Sequence, residues 1–296
     1  MAAKPGGLSN AGNNTFAGWN TGSDGGGVYY AAGDTFTMGD DDVSLYAQWA
    51  PSTPSKTFNA QSAVDGSWYT LSARKLAEGS YCIVYADETI GIRAAAAEAI
   101  VTEYETKIYT QITGAFGAIE DVDGNGKLII LLLDILDGYS GSGGYVAGYF
   151  DPTHMFATSV YPRSNKADML YLDVSPQKPE SPGFYATIAH ELQHLISFSQ
   201  TIKTGAVRTS EQDIWINEGL SLAAEYIYGG AQQPRIDYFN NDPFDTIKKG
   251  NNFFVWDGSL CGTKRKTQSV PQSGTLPMKR NTSGRGTSGG YFRTPF

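Results

Sequence analysis

Two of the three histidines of this chain stand one helical turn apart, in the pentapeptide His190-Glu-Leu-Gln-His194. Residues i and i+4 lie on the same side of a helix, so both imidazoles can reach one metal ion. Two imidazoles beside a carboxylate are the groups that hold Zn²⁺ and the water molecule on it. The spacing predicts that His190 and His194 are zinc ligands and that Glu191 is the general base. The alternative interpretation is a pair of structural histidines on an amphipathic helix.

A zinc site of this type needs a third protein ligand. The remaining histidine, His154, precedes the pentapeptide, which excludes a third histidine ligand downstream of it. A glutamate is then the natural choice, and Glu218 follows His194 by 24 positions, enough for a second helix to return to the first. Three protein ligands leave one position open for water, which is typical of catalytic zinc rather than structural zinc.

The sequence predicts two helices that position these residues. The first begins at Ser181-Pro182, an N-cap followed by proline at the first helical position, with its apolar residues on one face and both histidines on the other. The second begins near residue 210, where Ser210 and Asp213 fit a capping box, and ends at Gly229-Gly230. Upstream, strands are predicted over 80–86, 127–135 and 168–174, and a helix over 90–112 with an apolar residue at every fourth position.

These motifs resemble known peptidases. His-Glu-x-x-His followed by Trp215-Ile-Asn-Glu-Gly219 is similar to the gluzincins, including their aminopeptidase N-like branch. The region 121–257 more closely resembles the hyicolysin-type bacterial metallopeptidases. The matching segments are Asp-Val-Asp-Gly-Asn-Gly-Lys (121–127), Gly-Gly-Tyr-Val-Ala-Gly-Tyr-Phe (143–150), Ser-Asn-Lys-Ala-Asp-Met-Leu-Tyr-Leu-Asp (164–173), Ala-His-Glu-Leu-Gln-His (189–194) and Trp-Ile-Asn-Glu-Gly-Leu-Ser (215–221).

The resemblance implies an α+β, zincin-like catalytic domain with a mixed sheet, an active-site helix and a second ligand-bearing helix. It implies that His190, His194 and Glu218 bind zinc, that Glu191 is catalytic, and that the substrate is a protein or peptide. The Gly-x-Met-x-Asn motif that holds a free amine in aminopeptidases is absent, which favours endopeptidase activity. The alternatives are a surface adhesion protein that keeps the fold without turnover, and a structural zinc site.

Several further residues are weaker candidates for this site. Glu225 follows Glu218 by seven residues, so it faces the same way, and it either orients a ligand imidazole or is a solvated carboxylate at the helix end. Asn217 is a similar candidate or a plain polar helix residue. Because no histidine follows His194, the donor to the transition-state oxyanion is predicted to be a tyrosine, and the candidates are Tyr226, Tyr228 and Tyr238.

A Ca²⁺ site is a weaker prediction. The run Asp121-Val-Asp-Gly-Asn-Gly-Lys127 has oxygen ligands at the first, third and fifth positions of an EF-hand loop, and glycine at the sixth. Its twelfth position is Leu132, where the loop requires a glutamate. The run is therefore interpreted mainly as a turn that enters the strand beginning at Lys127, with calcium as the alternative.

The N-terminal 49 residues differ from the rest of the chain. Short aromatic and β-branched runs, separated by Asp-Gly and Gly-Asp turns, predict a small all-β unit. With Gly18-Trp-Asn-Thr21 near its start and Leu45-Tyr-Ala-Gln-Trp49 at its end, it resembles part of the Listeria–Bacteroides cell-surface repeat. This resemblance implies a secreted or surface protein that contacts the cell surface or matrix. A generic β-hairpin module is the alternative.

The predicted domains are a partial repeat (1–49), a Pro/Ser linker (50–57), a C-terminally incomplete peptidase domain (58–258) and a basic tail (259–296). The tail holds seven Lys or Arg and no acid, and it is predicted to be disordered, either as a natural tail or after a reading-frame change. The net charge of −8 argues against nucleic acid as a partner, and no apolar run is long enough to span a membrane. No signal peptide is visible, so the expectation is an extracellular or surface protein whose start is missing, or else a cytoplasmic one.

Overall fold

The computed structural model describes residues 14–24, 26–30, 34–35, 38–39, 41–51, 55–203, 214–241 and 292–295. Within them the chain forms a small antiparallel sheet and a seven-stranded mixed sheet that packs against helices. The fold class is therefore α+β, as predicted. None of the described helices combines the length and the apolar character that crossing a membrane requires.

The small sheet belongs to the N-terminal unit and has the order β2-β1-β3, with both pairings antiparallel. Its strands are β1 (Asn14–Asn20), β2 (Tyr29–Tyr30) and β3 (Tyr46–Pro51). The side chain of Asn20 stabilises the connection after β1, because its Oδ1 accepts the N–H groups of Gly22 at 2.8 Å and Gly27 at 2.9 Å. β3 extends into the predicted linker, of which residues 52–54 lie outside the described part of the chain.

The large sheet has the order β10-β8-β9-β7-β6-β5-β4. Its strands are β4 (Lys56–Gln61), β5 (Trp68–Glu78), β6 (Cys82–Asp87), β7 (Leu128–Leu133), β8 (Val146–Phe150), β9 (Met169–Asp173) and β10 (Phe292–Pro295). β6, β7 and β9 are parallel, and the other pairings are antiparallel. All six residues of β7 are apolar and buried, as expected for a central parallel strand covered on both faces. Alternate residues of β7 enter two apolar cores, one under the helices and one on the opposite face of the sheet.

The basic segment 259–296 contributes one element to this sheet. Phe292–Pro295 forms β10, which pairs antiparallel with β8 at the edge. These four residues are therefore ordered as a strand, although the sequence predicts disorder for the segment. The rest of the tail lies outside the described residues.

The helices are α1 (Ala94–Glu103), α2 (Tyr109–Phe116), α3 (Pro182–Lys203), α4 (Ile214–Gly229) and α5 (Gln233–Asn240). A π-helical turn, Tyr104–Ile108, joins α1 to α2 within the helix predicted over 90–112. In an α-helix, a spacing of four residues overshoots a full turn by about 40°, so a long stripe at that spacing would wind away from the core. The wider π turn corrects the phase. As a result Ile100, Tyr104, Ile108 and Ile112 are all fully buried.

Candidate metal centre

Helix α3 is anchored in the core by one face. It begins as predicted, with Pro182 at the first position and the N–H of Phe184 donating to Ser181 Oγ at 3.2 Å. Phe184, Ile188 and Leu192 are fully buried in the core under the sheet. The face that carries the two histidines is buried as well, because α4 packs against α3. The surroundings of the pentapeptide are therefore set by α4 rather than by solvent.

Helix α4 presents a polar stripe to α3. Asn217, Glu218, Ser221 and Glu225 recur at helical spacing, and three of them are buried, while Glu218 keeps 16% of its side chain exposed. Glu225 is 1% exposed, so it is not the solvated helix-end carboxylate of one interpretation. The residues that would begin this helix in the predicted capping box, Ser210 and Asp213, lie outside the described residues.

The three predicted ligands come together. One potential ligand atom from each of His190, His194 and Glu218 lies within 4.8 Å of the other two. His190 Nε2 is 3.5 Å from Glu218 Oε2, and the two imidazole rings are 4.9 Å apart between centroids, at 73°. Two ligand atoms about 2.0–2.1 Å from a tetrahedral zinc lie about 3.3 Å apart, so this spacing suits such an ion.

The polar atoms of the cluster also fit a metal. His190 Nε2 is buried, and it makes no hydrogen bond to the residues that the structure describes. The other ring nitrogen, Nδ1, is 2.6 Å from Glu225 Oε1. A metal-ligating histidine usually donates one ring N–H to a carboxylate or carbonyl and binds the metal through the other nitrogen. In His190, Nδ1 contacts Glu225, and Nε2 faces the proposed ligand Glu218. Glu191, between the histidines in sequence, is fully buried.

The two hydrogen-bond partners described for His194 Nδ1 are uncharged side chains. Its Nδ1 lies 3.2 Å from Asn217 Oδ1 and 3.0 Å from Ser221 Oγ. Ser221 in turn donates to Gln193 Oε1 at 2.7 Å, and both of these side chains are buried. Neither Ser221 nor Gln193 is among the predicted site residues. Their helical spacing from Glu218 and from His190, on the faces that must meet, is the signal that could have identified them.

The pKa values of the two histidines are shifted in opposite directions. Burial acts to lower the pKa of His190, but the nearby carboxylates of Glu218, Glu225 and Glu191 outweigh it and raise that pKa to about 9. Burial and the charge on His190 lower the pKa of His194 to about 4. The cluster therefore carries a proton on His190 at neutral pH. Metal ligation requires the unprotonated ring, so binding would release this proton.

Of the three candidate tyrosines, the structure describes the side chains of Tyr226 and Tyr228, and neither has a contact with the cluster among the described residues. Tyr228 donates its hydroxyl to Glu103 Oε1 at 2.7 Å, at the last residue of α1. Tyr226 has 63% of its surface exposed. The side chain of Tyr238 lies outside the described residues. A tyrosine donor to the oxyanion stays a prediction, and the hydroxyl of Tyr228 is engaged elsewhere.

A second group of acidic residues lies before the first residues of the parallel strands β7 and β9. Carboxylate oxygens of Asp121, Asp123 and Asp168 lie within 4.8 Å of one another. Leu132, at the twelfth position of the EF-hand pattern, is fully buried in β7 and offers no ligand. Burial, together with the charges of Asp123 and Asp121, raises the pKa of Asp168 to about 7, although Asp168 also accepts the Val122 N–H. Calcium at this loop stays a prediction.

His154 lies away from the two helices. It is buried in a 3₁₀ turn, Pro152–Met155, where its Nδ1 accepts the N–H of Asn165 at 2.9 Å and its Nε2 lies 2.7 Å from Tyr171 Oη. The sequence favours a loop position for His154 over one near the metal. In the structure its side chain is buried, and its described partners lie outside α3 and α4.

Comparison with known proteins gives one long match. No family model matches the chain. Over 170 residues, 54% of the chain, it is 32% identical to the neutral metalloprotease ShpI of Staphylococcus hyicus, of which the match covers 37%. A stretch of 46 residues, 16% of the chain, is 52% identical to a protein of Evansella cellulosilytica named as a Gly-rich membrane protein, over 5% of that protein. A stretch of 36 residues, 12% of the chain, is 56% identical to another protein of that organism named as a membrane protein, again over 5%. The chain thus spans little more than a third of the metalloprotease that it matches.

Proposed function

We propose that this chain is a zinc-dependent peptidase of the gluzincin type, in which His190, His194 and Glu218 bind the metal and Glu191 is the general base. The observation that carries the proposal is the convergence of two imidazoles and one carboxylate from two packed helices. The similarity to the neutral metalloprotease ShpI supports the same class of reaction.

The residues of the chain have separate tasks in this reaction. A zinc ion in the site supplies Lewis acidity, which activates a water molecule and polarises the carbonyl of a peptide bond. Glu191 accepts the proton of the attacking water and delivers it to the amine that leaves. Glu225 contacts Nδ1 of His190, which leaves its Nε2 facing Glu218, and Asn217 contacts Nδ1 of His194.

The ligand set favours a catalytic site over a structural one. Structural zinc sites are closed by four protein ligands, whereas catalytic sites keep one position for water or substrate. The cluster offers three ligands, and the carboxylate of Glu191 lies beside them in sequence and adds its charge to His190. A surface adhesion protein that keeps the fold without catalysing hydrolysis would not require Glu191.

We propose endopeptidase action on proteins or peptides outside the cell or at its surface. The absence of the amine-binding motif supports internal cleavage. The N-terminal unit, residues 1–49, would be a separate domain that contacts the cell surface or matrix, and residues 58–258 would be the peptidase domain. The two matched Evansella proteins named as membrane proteins support a role at the cell envelope.

The test compares zinc content and turnover in the wild type and two variants. The wild type should hold one zinc ion per chain at the proposed centre and cleave an internally quenched peptide with both ends blocked. Glu191→Gln should keep the zinc and lose about 10²–10⁴ in rate, because Glu191 contacts the water and not the metal. Glu218→Ala should lose zinc and activity together, because it removes a ligand.

Glu98→Ala is the matched control, since Glu98 is exposed on α1, away from the cluster. It should behave like the wild type in both measurements. Loss of zinc from Glu191→Gln with retention in Glu218→Ala would show that the two roles are wrongly assigned. Full turnover in both variants would refute the peptidase function itself.

A further inference from the structure

A buried carboxylate from a distant part of the chain faces the loop between α2 and β7. Asp168 directly precedes β9 and is 2% exposed, whereas Asp121 and Asp123 belong to the loop itself. One carboxylate oxygen of each residue lies within 4.8 Å of the other two. Two oxygens that bind one Ca²⁺ ion at about 2.3–2.6 Å lie at most about 5 Å apart, so a single ion can contact all three carboxylates.

Part of the Asp168 carboxylate has no partner. Its Oδ1 accepts the N–H of Val122 at 3.2 Å, and its Oδ2 has no hydrogen bond within the described part of the chain. None of the three carboxylates forms an ion pair with a described basic side chain, and Lys127, at the end of the loop, pairs with Glu78 Oε1 at 2.5 Å. A buried carboxylate that faces two others without a cation is costly. A divalent cation between the three would offset this cost.

Asp168 takes the place of the ligand that the EF-hand pattern lacks. Asp121 and Asp123 are the first and third positions of that pattern, and Leu132, at the twelfth, is buried in β7. An EF-hand closes around its ion with a carboxylate at the twelfth position. Because β7 and β9 are parallel neighbours, the residue before β9 lies beside the first residues of β7, where the loop ends. The next strand of the sheet therefore supplies the acidic ligand that the loop alone does not.

We propose that Asp121, Asp123 and Asp168 bind a structural Ca²⁺ ion, at a site that shares no residue with the proposed zinc centre. Carboxylate oxygens are the ligands that Ca²⁺ prefers, with carbonyl oxygens and water completing its coordination. The ion joins the loop to the start of β9. The segment that leads into the loop also contacts α3, where Ser199 Oγ accepts the N–H of Glu120 at 3.2 Å. Binding would therefore stabilise the packing of the loop on the sheet and on α3.

The first test is the thermal unfolding midpoint of the wild-type chain, stripped of metal ions, reloaded with one equivalent of zinc and titrated with Ca²⁺. An ion that binds only the folded protein raises its stability with concentration. Extracellular Ca²⁺ modules have Kd values of about 10⁻⁴–10⁻³ M, so about 10 mM Ca²⁺ should raise the midpoint by about 3–10 °C. Mg²⁺ at the same concentration should raise it by less than about 2 °C, because the smaller ion demands octahedral geometry and gives up its water reluctantly.

Two isosteric variants locate the site. Asp168→Asn keeps an oxygen that can accept the Val122 N–H and removes the buried charge. Without Ca²⁺ it should be at least as stable as the wild type, and it should lose the rise caused by Ca²⁺. Asp123→Asn, in the half-buried part of the loop, should lose most of that rise as well. Asp65→Asn is the matched control with a rise of wild-type size, because Asp65 accepts the N–H of Ser67 in an exposed turn outside the cluster.

The outcomes are distinct. A midpoint of the wild type that changes by less than about 1 °C at about 10 mM Ca²⁺ would overturn the inference. An equal rise with Mg²⁺ would do the same, as would a rise of wild-type size in Asp123→Asn, which leaves the core unchanged. Glu218→Ala should keep the rise, so failure of the proposed zinc centre leaves this inference standing. Loss of the rise in Glu218→Ala would instead place the Ca²⁺ ion at the zinc cluster and refute the separate site.

Discussion

The charge on a buried histidine is set by the groups that face it, and the three histidines of this chain illustrate three cases. His190 faces carboxylates, and its pKa is raised to about 9 against the opposing effect of burial. His194 contacts an amide and a hydroxyl, and burial with the charge on His190 outweighs the charge of Glu218 and lowers its pKa to about 4. Burial lowers the pKa of His154 to about 3. The carboxylates, rather than burial alone, make one of the two proposed ligands basic.

His154 predicts a specific dependence of stability on pH. The unfolded chain binds a proton at this residue below about pH 6.5, whereas the folded chain does so only near the folded pKa, about 3. Between these values the unfolded state binds more protons, so stability falls as the pH falls, by about 1.4 kcal/mol per pH unit. The polar groups that face the ring are Asp151 Oδ2, 3.6 Å from Nε2, Tyr171 Oη, 2.7 Å from Nε2, and the N–H of Asn165, 2.9 Å from Nδ1.

His154→Gln lacks this contribution, so the test is the difference in unfolding free energy between wild type and variant at several pH values. The advantage of the wild type should shrink by about 2 kcal/mol between pH 6.5 and pH 5. All other titrating groups are common to both proteins and cancel in the difference. An advantage that stays constant or grows on acidification would show that the folded protein accommodates the protonated ring.

Residues of the centre differ in how far the sequence alone predicts them. His190, Glu191 and His194 are predictable because their relation is local and one helical turn fixes it. Glu218 needs a second helix at an unknown angle, so only the lack of a downstream histidine, the spacing from His194 and the resemblance indicate its role. Ser221 and Gln193 resemble the solvated side of any amphipathic helix until the packing of α4 on α3 is known. The burial of such polar residues can be recognised only when the side chains that they contact on the other helix are known.

At the scale of elements, the position of α3 depends on its contact with strand β8. A Cβ added to Gly148 would lie 2.9 Å from Thr187 Cγ2 and 2.9 Å from the backbone oxygen of Tyr171. Thr187 is fully buried on α3, one turn before His190. Glycine at 148 therefore lets the strand and the proposed ligand helix approach closely.

Gly148→Ala should destabilise the protein by about 1–3 kcal/mol, because the contact on one side is backbone that cannot move aside. Gly114→Ala is the matched control: Gly114 lies in α2 with open space around its Cα, and alanine there should stabilise by about 0.5–1 kcal/mol. Denaturant unfolding of the two variants gives the comparison. Equal stability of Gly148→Ala and wild type would show that β8 can shift away from α3 without loss.

The predictability of the elements follows their patterns. β7 and the two proposed ligand helices have strong apolar patterns, and the structure contains them. β4 and β5 do not appear among the predictions. β4 has few apolar residues, and in β5 the adjacent charged residues Arg74 and Lys75 interrupt the apolar alternation. Their strands form through pairing across the sheet, which no local pattern encodes. The apolar residues over 92–112 recur at every fourth position, which is longer than the 3.6-residue turn of an α-helix. This excess indicates a π turn, but the sequence analysis interprets the spacing as a plain amphipathic helix.

At the scale of the whole molecule, the two apolar cores of the described residues are formed by segments that follow the linker in sequence. Both cores under and over the large sheet consist of residues between Phe58 and Tyr228. The small sheet has its own aromatic contacts, with Phe16 packing edge-to-face on Trp19 at 5.2 Å and on Trp49 at 5.8 Å. The two sheets share no strand. This arrangement supports the proposal that residues 1–49 and 58–258 are separate domains.

Removal of residues 1–54 should therefore leave the peptidase domain folded and able to bind zinc. Its thermal midpoint should stay within about 2 °C of the full chain, since no core residue is lost and about 1 kcal/mol shifts the midpoint of a domain of this size by about 2–4 °C.

Removal of residues 1–61 is the control, because it also deletes β4 with Phe58 and Ala60, both fully buried. Loss of a buried phenylalanine alone costs about 3–5 kcal/mol, so this variant should melt far lower or fail to fold. Calorimetry and zinc content of both variants give the test. A large drop in the midpoint after removal of residues 1–54 would show that the N-terminal unit is part of the same cooperative fold.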